Sequence, residues 1–478
     1  MQCRDKSATS KWIAKKYEKQ IKSAQGMIVG DLGSAFIDDY GVHVDVCKLH
    51  KARKKVTKKY MSDHEVSYKK LPKYAKVLRK YNSGVTYKIL CEGLDLCNPN
   101  CNPIFKRFFV SFVAQREGFV NGCRPFIGVD GCFLKNPFGG QLLCAVTLDA
   151  NSSIFPIAVM ISEGENQVSW EYFLDCLHWH LGDERYLTFM SDRQKGLINA
   201  TKKIYPNAKH RYCAWHRYNN FKSLFPGPKF RSKFWAAVKA TNVFDFNDIM
   251  DEIKQENTAA WNWLMQEEPF HWSRHAFDIH VKNDHVTNNM SESFNSELKV
   301  MRQNPILTLL EHIRRKLMKR FCERQQNAMT WNSIVPPKVE SKLSRNFRES
   351  RQLHGFESSE HLFEISDGKW FVVNLNSKTC EYGEWQISRV PCKHAIFCIN
   401  HIRDDPMKYV DNFLTKAAYL RTYESNINAI PDESMWEDEN YPKMIVRKKE
   451  SKRGRPKLKR IKGANESLTG KKIRDLFI

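Results

Sequence analysis

The stretch RPFIGVDGCFLKNPFGGQLLCAVTLDANSSIFPIAVMIS, residues 124–162, contains three short apolar runs that decide the fold. They are RPFIGVDGCFL at 124–134, QLLCAVTLDA at 141–150 and IFPIAVMIS at 154–162. Short runs rich in Val, Ile and Phe, separated by turn residues such as Asn, Gly and Ser, are typical of buried strands. Three strands in direct succession predict an antiparallel meander.

The rhythm of the sequence changes after this stretch. Two helical patterns, SWEYFLDCLHWHL at 169–181 and RQKGLINATKKIYP at 193–206, alternate with two strand-like runs, YLTFM at 186–190 and KHRYCAW at 209–215. Strands that alternate with helices are typical of parallel additions to a sheet. The sequence therefore predicts an α/β domain with a mixed sheet, which we place at residues 121–330.

The segments outside this domain lose the strand pattern. The expected organisation, in chain order, is helices at 1–60, a helical linker region at 61–120 with the break NPNCNP at 98–103, a Trp-rich helical section at about 217–285, a long helix at 287–328, short strands followed by a Cys/His cluster at 360–402, and a polar, basic, disordered tail at 440–478.

Composition limits the class of protein. The chain has 478 residues, of which 42% are hydrophobic and 12% aromatic, which is enough for more than one buried core. No apolar run reaches the roughly 20 residues of a membrane span, and the start has no apolar signal core. We therefore expect no membrane partner and no secretion. The 14 cysteines then indicate an intracellular, reduced protein.

The net charge of +24 is concentrated at the two ends. Residues 1–80 hold 20 Lys and Arg against 8 Asp and Glu, and residues 441–478 hold 14 against 3. Basic ends indicate contacts with nucleic acid, because neutralising phosphates releases condensed counterions. A solvated, lysine-rich surface is the alternative.

Three acidic residues stand where a metal site can form. Asp130 ends the apolar run FIGVD, Asp192 ends YLTFMSD, and Glu292 lies at the start of a helix in TNNMSESFN. A carboxylate at the tip of a buried strand is costly unless water, a partner or a metal ion receives it. Converging carboxylates suit Mg²⁺ or Mn²⁺, and two such ions about 4 Å apart can cleave a phosphodiester. The alternative is that Asp192 only caps the following helix.

The region from residue 124 onward resembles the transposase domain of the Mutator-like elements of plants. The matching motifs, in the order of that family, are FIGVDGCFLK, ENQVSWEYFLDCL, MSDRQKGLINA, NAKHRYCAWHRYNNFK and, much later, NNMSESFN. The resemblance implies a ribonuclease-H-like fold that is interrupted by an all-helical insertion, here about 217–285. It also implies an Asp-Asp-Glu triad.

By this resemblance the catalytic triad is Asp130, Asp192 and Glu292, with Glu297 as the substitute for the third position. Cys213 and His216 form the family's Cys-x-x-His pair. The implied function is metal-dependent DNA cleavage and strand transfer at the ends of a transposable element, in a protein that acts alone or as a homo-oligomer. The alternative is a domesticated, non-catalytic nuclear regulator that descends from such a transposase.

The stretch TCEYGEWQISRVPCKHAIFCI resembles the SWIM-type zinc finger, which commonly follows this transposase domain. The resemblance implies Zn²⁺ bound by Cys380, Cys392 and His394. Tyr382 stands where the second Cys of the motif is expected, so that water or Cys398, on the same helical face as His394, would be the fourth ligand. A metal-free module packed around Trp385 is the alternative.

The two basic ends also carry recognisable patterns. The core Arg453-Gly454-Arg455-Pro456 resembles an AT-hook, which places arginine in the narrow minor groove of A·T-rich DNA. The same residues also fit a nuclear import signal, and we expect a nuclear protein. Residues 1–60 resemble the last part of the family's N-terminal DNA-binding region.

Overall fold

The computed structural model describes residues 8–23, 28–95, 101–182, 186–437 and 443–447. Within these residues, seven strands form one mixed sheet with the order β1-β2-β5-β4-β3-β6-β7. The strands are β1 (Thr86–Glu92), β2 (Ile104–Ser111), β3 (Phe126–Phe133), β4 (Gln141–Leu148), β5 (Ile154–Ser162), β6 (Thr188–Ser191) and β7 (Lys209–Tyr212).

The centre of the sheet is the meander β3-β4-β5, in which both pairings are antiparallel. β4 is buried at every position, which explains its unbroken apolar run. β6 pairs with β3 and β7 pairs with β6, and both pairings are parallel. The predicted meander and the predicted parallel additions are therefore confirmed.

Helices surround this sheet and fill the segments on either side of it. They are α1 (Ser10–Lys16), α2 (Glu18–Ser23), α3 (Val29–Tyr40), α4 (Val46–Lys69), α5 (Leu71–Tyr81), α6 (Val113–Gly122), α7 (Gln167–Leu181), α8 (Lys195–Ile204), α9 (Ala214–Leu224), α10 (Pro228–Lys239), α11 (Val243–Glu256), α12 (Thr258–Met265), α13 (Asn289–Glu297), α14 (Ile306–Met329), α15 (Pro337–Ser350), α16 (Glu384–Ser388), α17 (Lys393–His401) and α18 (Lys416–Thr422).

The N-terminal helices form a small bundle with a core of its own, built on residues such as Ile13, Leu32 and Leu49. α4 is long enough to leave this bundle and reach the sheet, where Tyr68 packs against Phe105 with a ring-centroid distance of 4.9 Å. The bundle is thus held to the sheet by a continuous helix.

The prediction of a wholly helical linker at 61–120 was wrong. β1 and β2 lie in this segment and extend the sheet on the β5 side. Lys88, Lys106 and Arg107 interrupt the apolar residues of both strands and hide their pattern. These strands form because the adjacent β5 edge supplies backbone partners, which the sequence of the segment cannot reveal.

The section between β7 and α13 is helical where the structure describes it, as predicted. Its core contains the buried guanidinium of Arg217, which lies 4.8 Å from the ring centroid of Trp263 and 4.9 Å from that of Trp272. Arg217 also donates a 2.7 Å hydrogen bond to the Leu264 carbonyl. These contacts explain the many tryptophans of the section, since aromatic faces stabilise a buried cation.

The single long helix expected at 287–328 is two helices, α13 and α14. The break falls before Ile306, where Pro305 occupies the N-cap of α14. Proline lacks the backbone N–H that a continuous helix needs and constrains the residue before it, which explains the break.

A second, smaller sheet follows α15, with the order β11-β10-β9-β8. Its strands are β8 (His354–Ser359), β9 (Leu362–Ser366), β10 (Trp370–Asn374) and β11 (Thr379–Cys380). α16 and α17 follow, and Trp385 of α16 is almost fully buried in a core that it shares with residues of the sheet and of α17. Short strands followed by a Cys/His cluster were predicted for this segment.

The first described residues of the C-terminal tail are ordered, which differs from the predicted disorder of 440–478. Residues 443–447 pair with β2 instead of beginning a disordered segment: Ile445 donates to the Pro103 carbonyl at 2.9 Å, and Phe105 donates to the Ile445 carbonyl at 2.8 Å. Met444 is buried, which anchors this short stretch. The AT-hook-like residues Arg453–Pro456 lie outside the described residues. Among the described helices, none combines the length and apolar character that crossing a membrane requires.

His180 links α7 to the two strands that the sequence did not predict. Its Nδ1 lies 2.6 Å from the Thr86 hydroxyl and its Nε2 lies 2.9 Å from the Ser111 hydroxyl. Burial lowers the pKa of His180 from 6.5 to about 4. Its contribution to stability is therefore complete above pH 6.5 and is lost as the pH falls towards 4.

We expect His180→Gln, which keeps hydrogen-bonding capacity without titrating, to weaken the pH dependence of stability. Between pH 7 and pH 5 the wild-type protein should lose up to about 2 kcal/mol of unfolding free energy through this side chain. Urea unfolding at both pH values measures the difference. Equal losses in the wild-type and variant proteins would contradict this role of His180.

Candidate active site and candidate metal centre

Asp130 and Asp192 are brought together by the parallel pairing of β3 with β6. Gly128 of β3 is paired with Met190 of β6, and each aspartate lies two residues further along its strand direction. Side chains two residues apart on a strand share a face, and the charge of Asp192 acts on Asp130, so the two aspartates lie near each other at one level of the sheet. The expected strand tip is found only for Asp192, which follows the end of β6; Asp130 lies inside β3, which continues to Phe133.

Asp130 is held by two hydrogen bonds. Asn295 Nδ2 donates to its Oδ2 at 2.8 Å, and the Gly131 backbone N–H donates to its Oδ1 at 2.9 Å. Burial raises the pKa of Asp130, the Asn295 hydrogen bond lowers it, and the charges of Asp192 and Glu165 raise it further, to about 7. Without a cation, this carboxyl group is therefore close to half-protonated at neutral pH.

Asp192 is not the cap of the helix that follows it. The N-cap of α8 is Gln194, whose Oε1 accepts a hydrogen bond from the Leu197 N–H at 2.5 Å. Asp192 Oδ1 accepts from the Gln194 N–H at 3.2 Å, which fixes the turn after β6. Capping of α8 therefore does not explain the acidic residue at this strand end.

Glu292 lies in a neighbouring group, with Cys213 and His216. One ligand atom from each of the three residues lies within 4.8 Å of the others, and Glu292 Oε1 is 3.9 Å from His216 Nδ1. Neither Asp130 nor Asp192 belongs to this compact group among the described residues. The structure thus brings the two predicted aspartates side by side and places the predicted glutamate in the next cluster.

His216 connects the two groups electrostatically. The Cys213 side chain is the largest influence and raises the pKa of His216; burial opposes it, and the charges of Glu292 and Asp192 raise it further, to about 9. The imidazole is therefore cationic at neutral pH in the absence of a metal ion. The carboxylates of Glu292 and Asp192 favour a positive charge beside them, and either this proton or a bound metal ion can supply it.

α13, which carries Glu292, is fixed to β3 at its N-terminal end. Asn288 Nδ2 donates to the Val129 carbonyl at 3.0 Å, and the Asn288 N–H donates to Cys213 Sγ at 3.2 Å. Cys213 is itself the N-cap residue of α9. The Cys-x-x-His pair therefore has a visible role: Cys213 holds the start of α13, and His216 faces the glutamate of that helix.

Two residues at the site were missed by the sequence analysis, and one substitute lies elsewhere. Asn295 is three residues after Glu292, so that its helical spacing could have indicated a shared face. Glu165 stands directly before the N-cap of α7, where acidic residues are common, and its sequence position alone was not informative. Glu297 forms ion pairs with Lys316 at 2.8 Å and Arg320 at 2.7 Å on α14.

Cys380, Cys392 and His394 form a second compact group, fully buried, with one ligand atom from each within 4.8 Å of the others. Cys380 Sγ lies 3.7 Å from His394 Nδ1, and His394 Nε2 lies 3.1 Å from Asp367 Oδ2. A histidine that presents one ring nitrogen to two sulfurs and the other to a carboxylate has the arrangement common among metal-binding histidines.

The thiols of this cluster differ in their electrostatics. Burial raises the pKa of Cys392, but the hydrogen bond with Cys380 and the interaction with His394 outweigh it, so that the pKa lies below its usual value. The pKa of Cys380 is raised in turn. One sulfur of the pair is thus prepared to lose its proton, as metal binding requires.

Cys398, the suggested protein fourth ligand, and Tyr382, which stands at the expected fourth-ligand position, both lie close to this group. Cys398 is outside the compact group, and its Sγ donates to the His394 carbonyl at 3.2 Å. Tyr382 places its ring against that of His394, with a centroid distance of 4.9 Å and an interplanar angle of 75°. The three ligands Cys380, Cys392 and His394 therefore come together, and Cys398 is engaged with the backbone of its own helix.

Comparison with known proteins agrees with the motifs. Residues 126–220 match the family described as MULE transposase domain, which confirms the resemblance. The chain is also similar to the transposase for insertion sequence element IS256 in transposon Tn4001, from Staphylococcus aureus and from Enterococcus faecalis (strain ATCC 700802 / V583). Each is 28% identical over 209 residues, which is 40% of this chain. The chain spans about half the length of these curated relatives, 51% in each case.

We expect Gly128→Ala to disturb the site by displacing α13. A methyl group on Gly128 would lie 2.4 Å from Met290 Cε and 2.5 Å from Asn288 Oδ1. Such overpacking costs about 1–3 kcal/mol, which urea unfolding measures.

Gly164→Ala is the matched control. A methyl group there would meet only Asn166 Nδ2, at 3.8 Å, so that the unfolding free energy should change by less than about 1 kcal/mol. Equal effects of the two substitutions would show that α13 does not pack as closely on β3 as described.

Proposed function

We propose that this chain, which carries a MULE transposase domain at residues 126–220, is a transposase that cleaves and joins DNA strands with the help of divalent metal ions. The observation that carries the proposal is the pair Asp130 and Asp192, each two residues beyond the Gly128–Met190 pair of the parallel β3 and β6 strands. An antiparallel meander followed by two parallel strands supports a ribonuclease-H-like fold for this domain.

The donor set fits the metal ions that the family implies. Asp130 and Asp192 offer carboxylate oxygens, and the charge of Asp192 acts on Asp130 and on Glu165. Hard cations such as Mg²⁺ and Mn²⁺ prefer oxygen ligands of this kind. When bound, the ions would activate a water molecule or a 3′-hydroxyl for attack on a phosphodiester and stabilise the leaving oxygen.

The protein's own residues hold and charge the site. Asn295 fixes the Asp130 carboxylate by its 2.8 Å hydrogen bond and leaves the other lone pairs of the group available. Cys213 fixes the start of α13, and His216 holds a proton between Asp192 and Glu292. In this proposal Glu292 has two positions. It pairs with His216 in one, and in the other it joins the two aspartates as the third acid.

DNA would be bound by basic surfaces outside the sheet. Lys51, Lys54 and Lys58 lie three and four residues apart on α4 and are exposed on one helix face. This row suits the phosphate backbone, to which lysines bind without reading sequence. We propose that Arg453–Pro456 adds an A·T-preferring contact and directs the protein to the nucleus, and that copies of the chain join on the element ends.

For the second group we propose structural Zn²⁺ bound by Cys380, Cys392 and His394, as in a SWIM-type finger. Support comes from the burial and closeness of the three ligands and from Asp367, which orients the imidazole. Because Cys398 donates to a backbone carbonyl, water is the preferred fourth ligand.

A non-catalytic DNA-binding regulator is the second candidate function. The observation that favours it is the position of Glu292, which lies with Cys213 and His216 and outside a compact group with the two aspartates. Such a protein would keep the DNA contacts and the fold without strand cleavage.

Cleavage of duplex DNA that carries the sequences flanking the gene, with Mn²⁺ present, separates the two functions. We expect Asp130→Asn and Asp192→Asn each to lower the cleavage rate at least about a hundredfold, because each removes a charged metal ligand. The affinity of both variants for DNA should equal that of the wild-type protein. Binding of the wild-type protein to A·T-rich and G·C-rich duplexes at rising salt tests the two proposed DNA contacts.

Asp175→Asn, on the exposed face of α7, is the control for the loss of one acidic charge. It should cleave as the wild-type protein does. A wild-type protein that binds the DNA without cutting it would instead support the regulator.

Zinc content of the purified full-length chain, measured by plasma mass spectrometry, tests the second site. We expect Cys392→Ser to lose zinc and Cys398→Ser to keep it, because only Cys392 lies in the compact group. Asp367→Asn should weaken zinc affinity by about 10–100-fold, through loss of the carboxylate that orients His394. Loss of zinc from Cys398→Ser would assign the fourth ligand to that thiol.

A further inference from the structure

The loop between β5 and α7 brings a further carboxylate to the ends of β3 and β6. A methyl group placed on Gly131, the residue after Asp130, would lie 3.0 Å from Glu165 Cδ. After burial, the charge of Asp192 is the main cause that raises the pKa of Glu165. The charges of Asp192 and Glu165 both raise the pKa of Asp130, in addition to burial. Glu165 therefore lies beside Gly131 of β3 and within range of charge interaction with both aspartates.

The two glutamates of this loop have different environments. Glu163 accepts two hydrogen bonds from the buried Arg107, at 3.1 Å from Nε and 2.7 Å from Nη2. In the part of the chain that the structure describes, Glu165 has no Lys, Arg or His within ion-pair distance. Glu163 therefore has a structural role. Glu165, in contrast, has the polar side chains of Gln141 and Trp170 beside it but no cationic partner among the described residues.

Gln141 supplies a second, independent observation at the same place. Its side chain is only 6% exposed, and its Oε1 has no hydrogen-bond partner among the described residues. That oxygen also lies 3.0 Å from the position of a methyl group on Gly131. A buried amide oxygen without a donor is unfavourable, and a cation beside it removes that penalty.

We propose that Glu165 is a further ligand of the divalent metal ion at the Asp130–Asp192 site, with the Gln141 oxygen directed at the same ion. The inference rests on the proposed metal-dependent function and names the donor set of that site. It also explains why, among the described residues, a glutamate without a cationic partner and an unpartnered amide oxygen meet near the two aspartates.

Binding of Mn²⁺ alone to the full-length chain, followed by the electron paramagnetic resonance signal of free Mn²⁺, tests the proposal. We expect Glu165→Gln to weaken Mn²⁺ affinity at least about tenfold, because it removes a charged ligand at nearly constant shape. Glu171→Gln is the control: it makes the same change on α7, where Glu171 pairs with Lys203 at the surface, and affinity should not change.

Thermal unfolding without metal separates a ligand from a structural residue. Removing a carboxylate from a cluster of like charges should leave the melting temperature of metal-free Glu165→Gln equal to or above that of the wild-type protein, and the rise on adding Mn²⁺ should be smaller. A lower melting temperature without metal would assign Glu165 a structural role and overturn the proposal. Should Glu165→Gln not fold, Glu165→Asp keeps the charge and should fold with intermediate affinity; failure of both variants also overturns it.

Asp130→Asn distinguishes this inference from the function on which it rests. If Asp130→Asn loses Mn²⁺ while Glu165→Gln binds it as the wild-type protein does, only the role of Glu165 is overturned. If the wild-type protein does not bind Mn²⁺, or Asp130→Asn binds it unchanged, the proposed metal-dependent function fails as well.

Discussion

The parallel pairing of β3 with β6, with Gly128 opposite Met190, is the constraint on which the site depends. It sets Asp130 and Asp192 at one level, and α13 reaches the site by contact with β3. α13 packs where Gly128 has no side chain, and Asn288 of that helix bonds to the β3 backbone. A shift of one residue in this pairing would turn one aspartate to the opposite face of the sheet.

The free-energy cost of the site is electrostatic. Asp130 is largely buried beside the negative charges of Asp192 and Glu165, and the protein compensates only in part, with the Asn295 amide and the Gly131 N–H. A cluster of carboxylates without enough positive charge destabilises the metal-free fold. The buried apolar residues of β4 and of its neighbours β3 and β5 therefore offset the unfavourable free energy of the carboxylate site.

The sequence predicts those elements that are specified by their own residues, and it does not predict those that depend on neighbours in the folded chain. The strands of the meander and the two that follow it are specified by their own apolar runs, and the Cys380–His394 cluster by short spacings. β1 and β2 are specified by the β5 edge they join, and basic residues such as Arg107 hide their pattern. Asp367 and Glu165 reach their sites through turns in other elements, so that only the folded chain reveals them.

The helical insertion connects the two sites physically. It leaves the sheet after Cys213 and returns at α13, which carries Glu292, so that both of its ends lie at the carboxylate site. Its flank touches the Cys/His module: Thr241 Oγ1 donates to the Tyr382 carbonyl at 2.5 Å, and Lys369 pairs with Asp245 at 3.0 Å and with Asp248 at 3.2 Å. An element held at both ends and along its side has few independent motions. The order of the Cys/His module therefore contributes to the position of α13, and through it to the place of Glu292 beside His216.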